Sequence, residues 1–181
     1  MSLRIKAPVH SNTQYKIYLD MDNVITDFDN ACNSISSGLI KLHSSDRDEF
    51  WKIIRFQGIT FWSEMSWKED GRELVDYLLN YNTTILSAHP NPKRGSVAEF
   101  SKKGKYDWLA REIGKDFADK AIICRRLDKK MYSFPDCILV DDNAENIENW
   151  EEGGGIGILH YATENTIDKL EQIFEEMNLL H

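Results

Sequence analysis

Short runs of hydrophobic residues alternate along the chain with longer segments in which apolar residues recur at helical spacing. The runs typical of β-strands cover residues 15–19, 83–86, 121–124, 137–140 and 156–160. The helical patterns cover residues 25–42, 46–56, 71–79, 106–113 and 163–180. Strands that alternate with amphipathic helices predict an α/β fold, in which a parallel sheet lies between two layers of helices.

One segment breaks this alternation after the first strand. Residues 28–67 hold two predicted helices and the aromatic pair Phe61-Trp62 before the alternation resumes. We therefore predict a small helical cap at 28–67, inserted into a core that residues 1–27 and 68–181 form.

Polar residues follow three of the predicted strands. Asp20 and Asp22 come after the first strand, Ser87 after the second, and Asp141-Asp142 after a later one. The carboxyl ends of parallel strands meet at one edge of the sheet, where ligand crevices form. We therefore expect these residues to converge although they are far apart in sequence.

These residue types suit the chemistry of phosphate esters. Asp20 and Asp22 lie two residues apart, so one carboxylate can attack phosphorus while the other serves the leaving oxygen as acid and base. Attack by a carboxylate requires that negative charge be masked, and a hard dication held by Asp141 and Asp142 can do this.

Two further groups complete the predicted site. Ser87 can donate a hydrogen bond to a phosphoryl oxygen, and a lysine from residues 125–130 can neutralise charge on the others. Alone, each of these features is more typical of a solvated turn, a loop or a helix N-cap. Their occurrence together, in this order and mostly at strand ends, favours catalysis.

The chain resembles the haloacid dehalogenase-like hydrolases in four motifs. These are Asp20-Met-Asp-Asn-Val24, Leu86-Ser87, Asp128-Lys129 and Val140-Asp-Asp142. Within that superfamily it is most similar to the 5'(3')-deoxyribonucleotidases, in the segments Asp20–Phe28, Thr60–Glu64, Lys105–Trp108 and Asp141–Asn143. The resemblance implies a Rossmann-like core and the hydrolysis of small-molecule nucleotides, (deoxy)nucleoside monophosphates, with Mg²⁺.

The same resemblance implies a role for individual residues. Asp20 would become the aspartyl-phosphate, and Asp22 would protonate the leaving oxygen and then activate water. The remaining roles fall into three groups: Mg²⁺ held by Asp20, the backbone carbonyl of Asp22, Asp141 and the nearby Asp142; phosphate contacted by Ser87, Ala88, Lys105 and Lys129; and a base slot formed by Phe28, Phe61 and Trp62.

The chain departs from the family pattern at three points. Asn23 stands where glycine is usual, and asparagine tolerates unusual backbone angles. Ser87 replaces threonine and keeps the hydroxyl group. The spacing from Lys129 to Asp141 is longer than usual, so Lys130 is an alternative for the motif lysine. The aromatic residues of 28–67 have an alternative too, as the hydrophobic core of the cap.

Composition and charge limit the partners. The net charge of −8 over 181 residues argues against a broad surface for duplex nucleic acid. No hydrophobic run approaches the roughly 20 residues that cross a bilayer, and residues 1–12 are polar, so we expect a cytoplasmic protein without a membrane partner. The three cysteines lack the spacing of a zinc site. A homodimer is compatible with the sequence.

Two alternatives to a nucleotidase remain open at the level of sequence. One is a phosphatase of another small phosphomonoester, a sugar phosphate or a polynucleotide 3' end. The other is a binding protein that kept the fold and lost the chemistry. Base preference, sugar preference and the choice between 5' and 3' phosphates are not encoded in any motif.

Overall fold

The computed structural model describes residues 15–178 and confirms the α/β fold. Its five-stranded sheet has the order β3-β2-β1-β4-β5, and every neighbouring pair is parallel. The strands are β1 Lys16–Leu19, β2 Thr83–His89, β3 Ile122–Arg125, β4 Cys137–Asp141 and β5 Ile156–Leu159. The chain builds the sheet outward from β1 to β3 and then returns to the other side of β1. This reversal opens a crevice at the carboxyl ends of β1 and β4.

Helices cover both faces of the sheet, as the alternation of side chains along a strand requires. Ile17 and Leu19 pack into the larger core together with residues of three helices, among them Leu74, Trp108 and Leu170. Tyr18 packs on the opposite face with Trp150. The helices are α1 Phe28–Ile35, α2 Leu39–Ser45, α3 Arg47–Gln57, α4 Thr60–Ser63, α5 Gly71–Leu78, α6 Val97–Glu112, α7 Lys115–Ala118, α8 Ala144–Glu152 and α9 Thr163–Asn178. Short 3₁₀ helices occupy Pro92–Arg94 and Arg126–Tyr132.

Four helices, α1 to α4, are inserted between β1 and β2. The two ends of the insertion are joined through Thr26, which forms isolated bridges with Asp22 on one side and Trp67 on the other. The hydrophobic core of the insertion is continuous with that of the sheet, since Phe50 and Leu19 belong to the same buried cluster. The division into a core and a cap that act as separate units stays a prediction.

Several element boundaries differ from the sequence prediction. The helix expected over 25–42 is two helices, because the first ends before Ser36, whose backbone is extended, and the second begins after Gly38, which has φ 80°. The helix expected at 106–113 begins nine residues earlier, at Val97. Strand β2 continues to His89, so Ser87 lies inside the strand rather than beyond it.

Parts of the sequence prediction fall outside the described residues: the polar segment 1–12 and the last two residues of the final helix, 179–180. Within residues 15–178, none of the helices has the length and apolar character that a membrane crossing requires.

Candidate active site

Three carboxylates meet in the crevice between β1 and β4. Asp20 follows β1 and Asp141 ends β4, and the Asp20 N–H donates to the Val140 carbonyl at 3.0 Å. One carboxylate oxygen each from Asp20, Asp141 and Asp142 lie within 4.8 Å of one another. The sequence prediction that these acids converge agrees with this geometry.

Lys129 lies between two of these acids. Its Nζ is 2.7 Å from Asp141 Oδ2 and 3.1 Å from Asp20 Oδ2, and only 2% of the residue is exposed. It is carried by the 3₁₀ helix that follows β3, whereas the adjacent Lys130 points to solvent. Of the two candidate lysines, Lys129 is therefore the one positioned in the site.

Lys105 lies on the other side of the acidic pair at the end of β1. Its Nζ donates to Asp22 Oδ2 at 2.7 Å, to Ser87 Oγ at 2.9 Å and to the Ala88 carbonyl at 2.8 Å. The residue is completely buried in α6. These bonds use all three donors of the ammonium group and fix Ser87 and Ala88 beside the acids.

Asp20 and Asp22 differ in their protonation tendency. Burial opposes ionisation of Asp20, but Lys129 and Lys105 outweigh it and hold its pKa below the ordinary value. Burial raises the pKa of Asp22, which Lys105 opposes only in part. One carboxyl group is thus kept charged and its neighbour is biased towards holding a proton, the division of roles that acid–base catalysis requires.

Burial and neighbouring charges also shift the pKa values of Asp142, Asp141 and Lys129. Burial and the neighbouring Asp20 and Asp141 carboxylates raise the pKa of Asp142 to about 7, although part of this side chain reaches solvent. Burial likewise raises the pKa of Asp141. Burial alone would lower the pKa of Lys129, but Asp20 and Asp141 more than offset it, so the pKa rises and the lysine is a permanent cation.

The oxygen atoms of the site fit a hard cation. Asp20 Oδ1 is buried and has no hydrogen-bond partner among the described residues. A buried polar atom without a partner is costly, and carboxylate oxygens are the ligands that Mg²⁺ prefers. The Asp22 side chain lies apart from the three-carboxylate group and is bound by Lys105, which leaves its backbone carbonyl for the predicted metal role.

Two asparagines that the sequence analysis did not identify orient Asp141. Asn146 Nδ2 donates to both carboxylate oxygens, at 3.0 and 2.9 Å, and the Asn143 N–H donates to Oδ1 at 2.9 Å. Asn143 also caps α8 through the Asn146 N–H. The position of Asn143 directly after the two acids was a signal that the sequence offered for its role. Nothing in the sequence marked Asn146, which lies one helical turn further on.

A cavity of about 440 Å³ opens above the acids. Of the predicted base slot, Phe28 and Trp62 line this cavity and Phe61 does not. Phe61 lies behind Phe28, with ring centroids 5.7 Å apart and an edge-to-face geometry, and lines a separate depression. Trp51 completes the aromatic wall by stacking on Trp62 at 6.4 Å.

The aromatic residues of the insertion also form its hydrophobic core, which is the alternative to a base slot that the sequence left open. Phe28 is 8% exposed and Trp62 is 1% exposed, so each packs inside the insertion while presenting part of its surface to the cavity. Phe56 belongs to neither group, because it is 91% exposed.

Basic residues at the mouth of the cavity were missed at the level of sequence. His43, Arg47, Arg94 and Arg126 all line it. They come from separate elements, α2, α3 and the two 3₁₀ helices, so no motif connects them.

Comparison with known proteins yields no family. No family model matches the sequence, and no curated protein does. Among solved structures, the chain is similar to a hydrolase from Streptococcus pneumoniae TIGR4 at 11% identity, with a TM-score of 0.48 over 90% of this chain and 99% of that chain. The chemistry of the present chain is accordingly inferred from its own site residues.

Proposed function

We propose that this chain is a Mg²⁺-dependent phosphatase that hydrolyses (deoxy)nucleoside monophosphates through an aspartyl-phosphate. The observation that supports this most strongly is the meeting of Asp20, Asp141 and Asp142 within 4.8 Å, with Lys129 bound to two of them, below a cavity.

Asp20 would act as the nucleophile. One oxygen of its ionised carboxylate forms a bond to phosphorus as the bond from phosphorus to the ester oxygen breaks, and Asp22 gives its proton to that leaving oxygen. Asp22 then takes a proton from a water molecule, which attacks the phosphorus of the acyl phosphate. The bond between phosphorus and the Asp20 oxygen breaks, which releases inorganic phosphate and restores Asp20. Lys105 holds Asp22 in place, and its contacts with Ser87 and the Ala88 carbonyl order the wall that faces the phosphate.

The metal would be held by carboxylate oxygens of Asp20 and Asp141, with Asp142 nearby and the Asp22 backbone carbonyl as a further ligand. When bound, a dication masks the negative charge of the phosphate and of the nucleophile. Asn146 and Asn143 fix the Asp141 carboxylate for this role.

The cavity favours a small substrate that has a flat apolar part. Its volume is in the range of small-molecule sites, and the partly exposed Trp51, with Phe28 beside it, offers aromatic surface on which a nucleobase can stack. A sugar phosphate has no such flat group, which is why we favour a nucleotide over the other phosphomonoesters.

Replacement of Asp20 by asparagine tests the chemistry. We expect Asp20→Asn to lower the release of phosphate from dTMP by at least about 10³-fold, because the amide oxygen is a poor nucleophile. Asp76→Asn is the matched control, since Asp76 is an exposed residue of α5 far from the cavity. EDTA should stop turnover and added Mg²⁺ should restore it.

Equal activity of wild type and Asp20→Asn would show a protein without this chemistry, such as one that only binds nucleotides. A substrate panel then tests the nucleotide class. Sugar phosphates turned over as well as deoxynucleotides would contradict the preference that we assign to the aromatic wall.

A further inference from the structure

Three arginine side chains meet at the mouth of the cavity, above the acids. Arg47, Arg94 and Arg126 line it, although the protein as a whole has a net charge of −8. The reacting phosphate would lie deeper, beside Asp20 at the floor of the cavity. A neutral nucleoside attached to that phosphate offers the arginines no anion.

Two of the arginines already have protein partners that position them. Arg94 pairs with Asp48 of α3 and also donates to the Arg47 carbonyl at 3.3 Å. Arg126 Nη2 lies 2.5 Å from Glu145 Oε2 at the start of α8. These contacts hold the two guanidinium groups on opposite elements of the mouth, and each keeps part of its surface open to solvent.

Arg47 differs from them because it forms no salt bridge to any residue of the described range 15–178. It is exposed at the first position of α3, where the positive end of the helix adds to its field. The carboxylate of Asp29 also lines the mouth, where it accepts a hydrogen bond from the Asn23 side chain and keeps its negative charge. A guanidinium is always charged and matches the oxygens of a phosphate in pairs.

From this arrangement we propose that the mouth of the cavity binds a second, non-reacting phosphate of the substrate, with Arg47 as its principal contact. The preferred substrate is then a small nucleotide that carries two phosphate groups on its sugar, a nucleoside bisphosphate, rather than a simple monophosphate. This inference rests on the proposed function, because the other phosphate must react at Asp20.

The experiment compares thymidine 5'-monophosphate with thymidine 3',5'-bisphosphate at low ionic strength with Mg²⁺. We expect kcat/KM for the bisphosphate to exceed that for the monophosphate by about tenfold, as a charge-assisted hydrogen bond allows. The ratio should fall as salt is added, because the mouth is exposed to solvent.

Arg47→Gln should bring that ratio close to one, mainly through KM. Arg55→Gln is the matched control: Arg55 is an exposed arginine of the same helix that does not line the cavity, so the ratio should persist. Equal kcat/KM for both substrates in the wild type, or a ratio that survives Arg47→Gln, would overturn the inference while leaving the phosphatase intact.

Two further outcomes of the experiment would have different meanings. Absence of turnover on either substrate would remove the proposed function itself. A third substrate, a short oligothymidylate with a terminal phosphate, tests whether the arginines contact a polynucleotide. If its kcat/KM exceeds that of the bisphosphate, the assignment to a small nucleotide is wrong.

Discussion

Asn23 holds a backbone conformation that most residues avoid. Its φ is 60°, and it is the one residue other than glycine with positive φ in the described part of the chain. Its side chain accepts from the Asp29 N–H at 3.1 Å and donates to the Asp29 carboxylate at 2.9 Å. The turn after Asp22 is thereby tied to the start of α1, which explains how the site tolerates asparagine where the resembling family has glycine.

A pair of substitutions separates these two contributions. Asn23→Gly and Asn23→Ala both remove the side-chain hydrogen bonds, but only alanine pays the steric cost of a left-handed backbone. We expect the free energy of unfolding of the alanine variant to be lower than that of the glycine variant by about 1–2 kcal/mol. Urea denaturation measures this difference in the free energy of unfolding. An alanine variant as stable as the glycine variant would contradict the positive φ at residue 23.

At the scale of single residues, the acidic part of the site was predictable and the basic part was only partly so. Asp20, Asp22 and Asp141 directly follow or end hydrophobic strands, so the sheet rule alone brings them together. The residues alone placed some lysine of 125–130 in the site, but the choice of Lys129 required the resemblance, because its 3₁₀ helix has no hydrophobic pattern. Arg47 could not be predicted, since its place at the cavity depends on how the insertion folds back over the sheet.

Among the elements, α4 and α6 make an unusually close contact at Gly104. A Cβ atom at this position would lie 2.4 Å from Trp62 Cβ and 2.7 Å from the Ile59 carbonyl oxygen. Glycine in the middle of a helix is normally unfavourable, so its presence in α6 is explained by this contact. The same contact positions Trp62 at the wall of the cavity.

Gly104→Ala tests the role of this contact. Helix propensity alone would make the variant more stable, by about 1 kcal/mol. We expect instead a lower free energy of unfolding, by about 1–3 kcal/mol, because α4 must move away from α6. Lys102→Ala, at a partly exposed position of the same helix, is the control. If Gly104→Ala stabilises the protein, the packing described for α4 and α6 is wrong.

The sequence prediction located all five strands of the described sheet, but it misplaced the bounds of two helices and did not predict α4, α7 and α8. Each strand is a β-prone run flanked by polar residues, which is a local signal. The beginning of α6 was missed because Lys102-Lys103-Gly104 interrupts the apolar pattern, although Val97 and Ser101 are buried. The helix expected over 25–42 was divided at residues 36–38, where the extended backbone of Ser36 is followed by the positive φ of Gly38.

For the molecule as a whole, the burial of Cys32 makes the free energy of unfolding decrease at alkaline pH. Burial raises the pKa of this thiol to about 12, whereas a thiol in an unfolded chain titrates near about 8.5. Above the unfolded pKa the unfolded chain has lost a proton that the folded chain retains. Stability contributed by the neutral thiol is therefore complete below about pH 8.5 and declines as pH rises towards 12.

The wild type should thus lose up to about 1.4 kcal/mol per pH unit through this group above about pH 8.5. Cys32→Ala should show a shallower decline in the free energy of unfolding between about pH 8.5 and 10. Other buried titrating groups, such as Tyr77, remain in both proteins and cancel in the comparison. Identical pH profiles for the two proteins would contradict the burial of the thiol.

The bridges formed by Thr26 connect the insertion directly to Asp22. The bridge from Thr26 to Trp67 places the two connecting segments of the insertion side by side, and its bridge to Asp22 joins them to the residue proposed as the acid and base. If helices α1 to α4 swing outward to admit a nucleotide, the pivot is adjacent to Asp22, and the proton donor is displaced together with them. Under the proposed mechanism, proton transfer from Asp22 would then require these helices to have closed over the ligand.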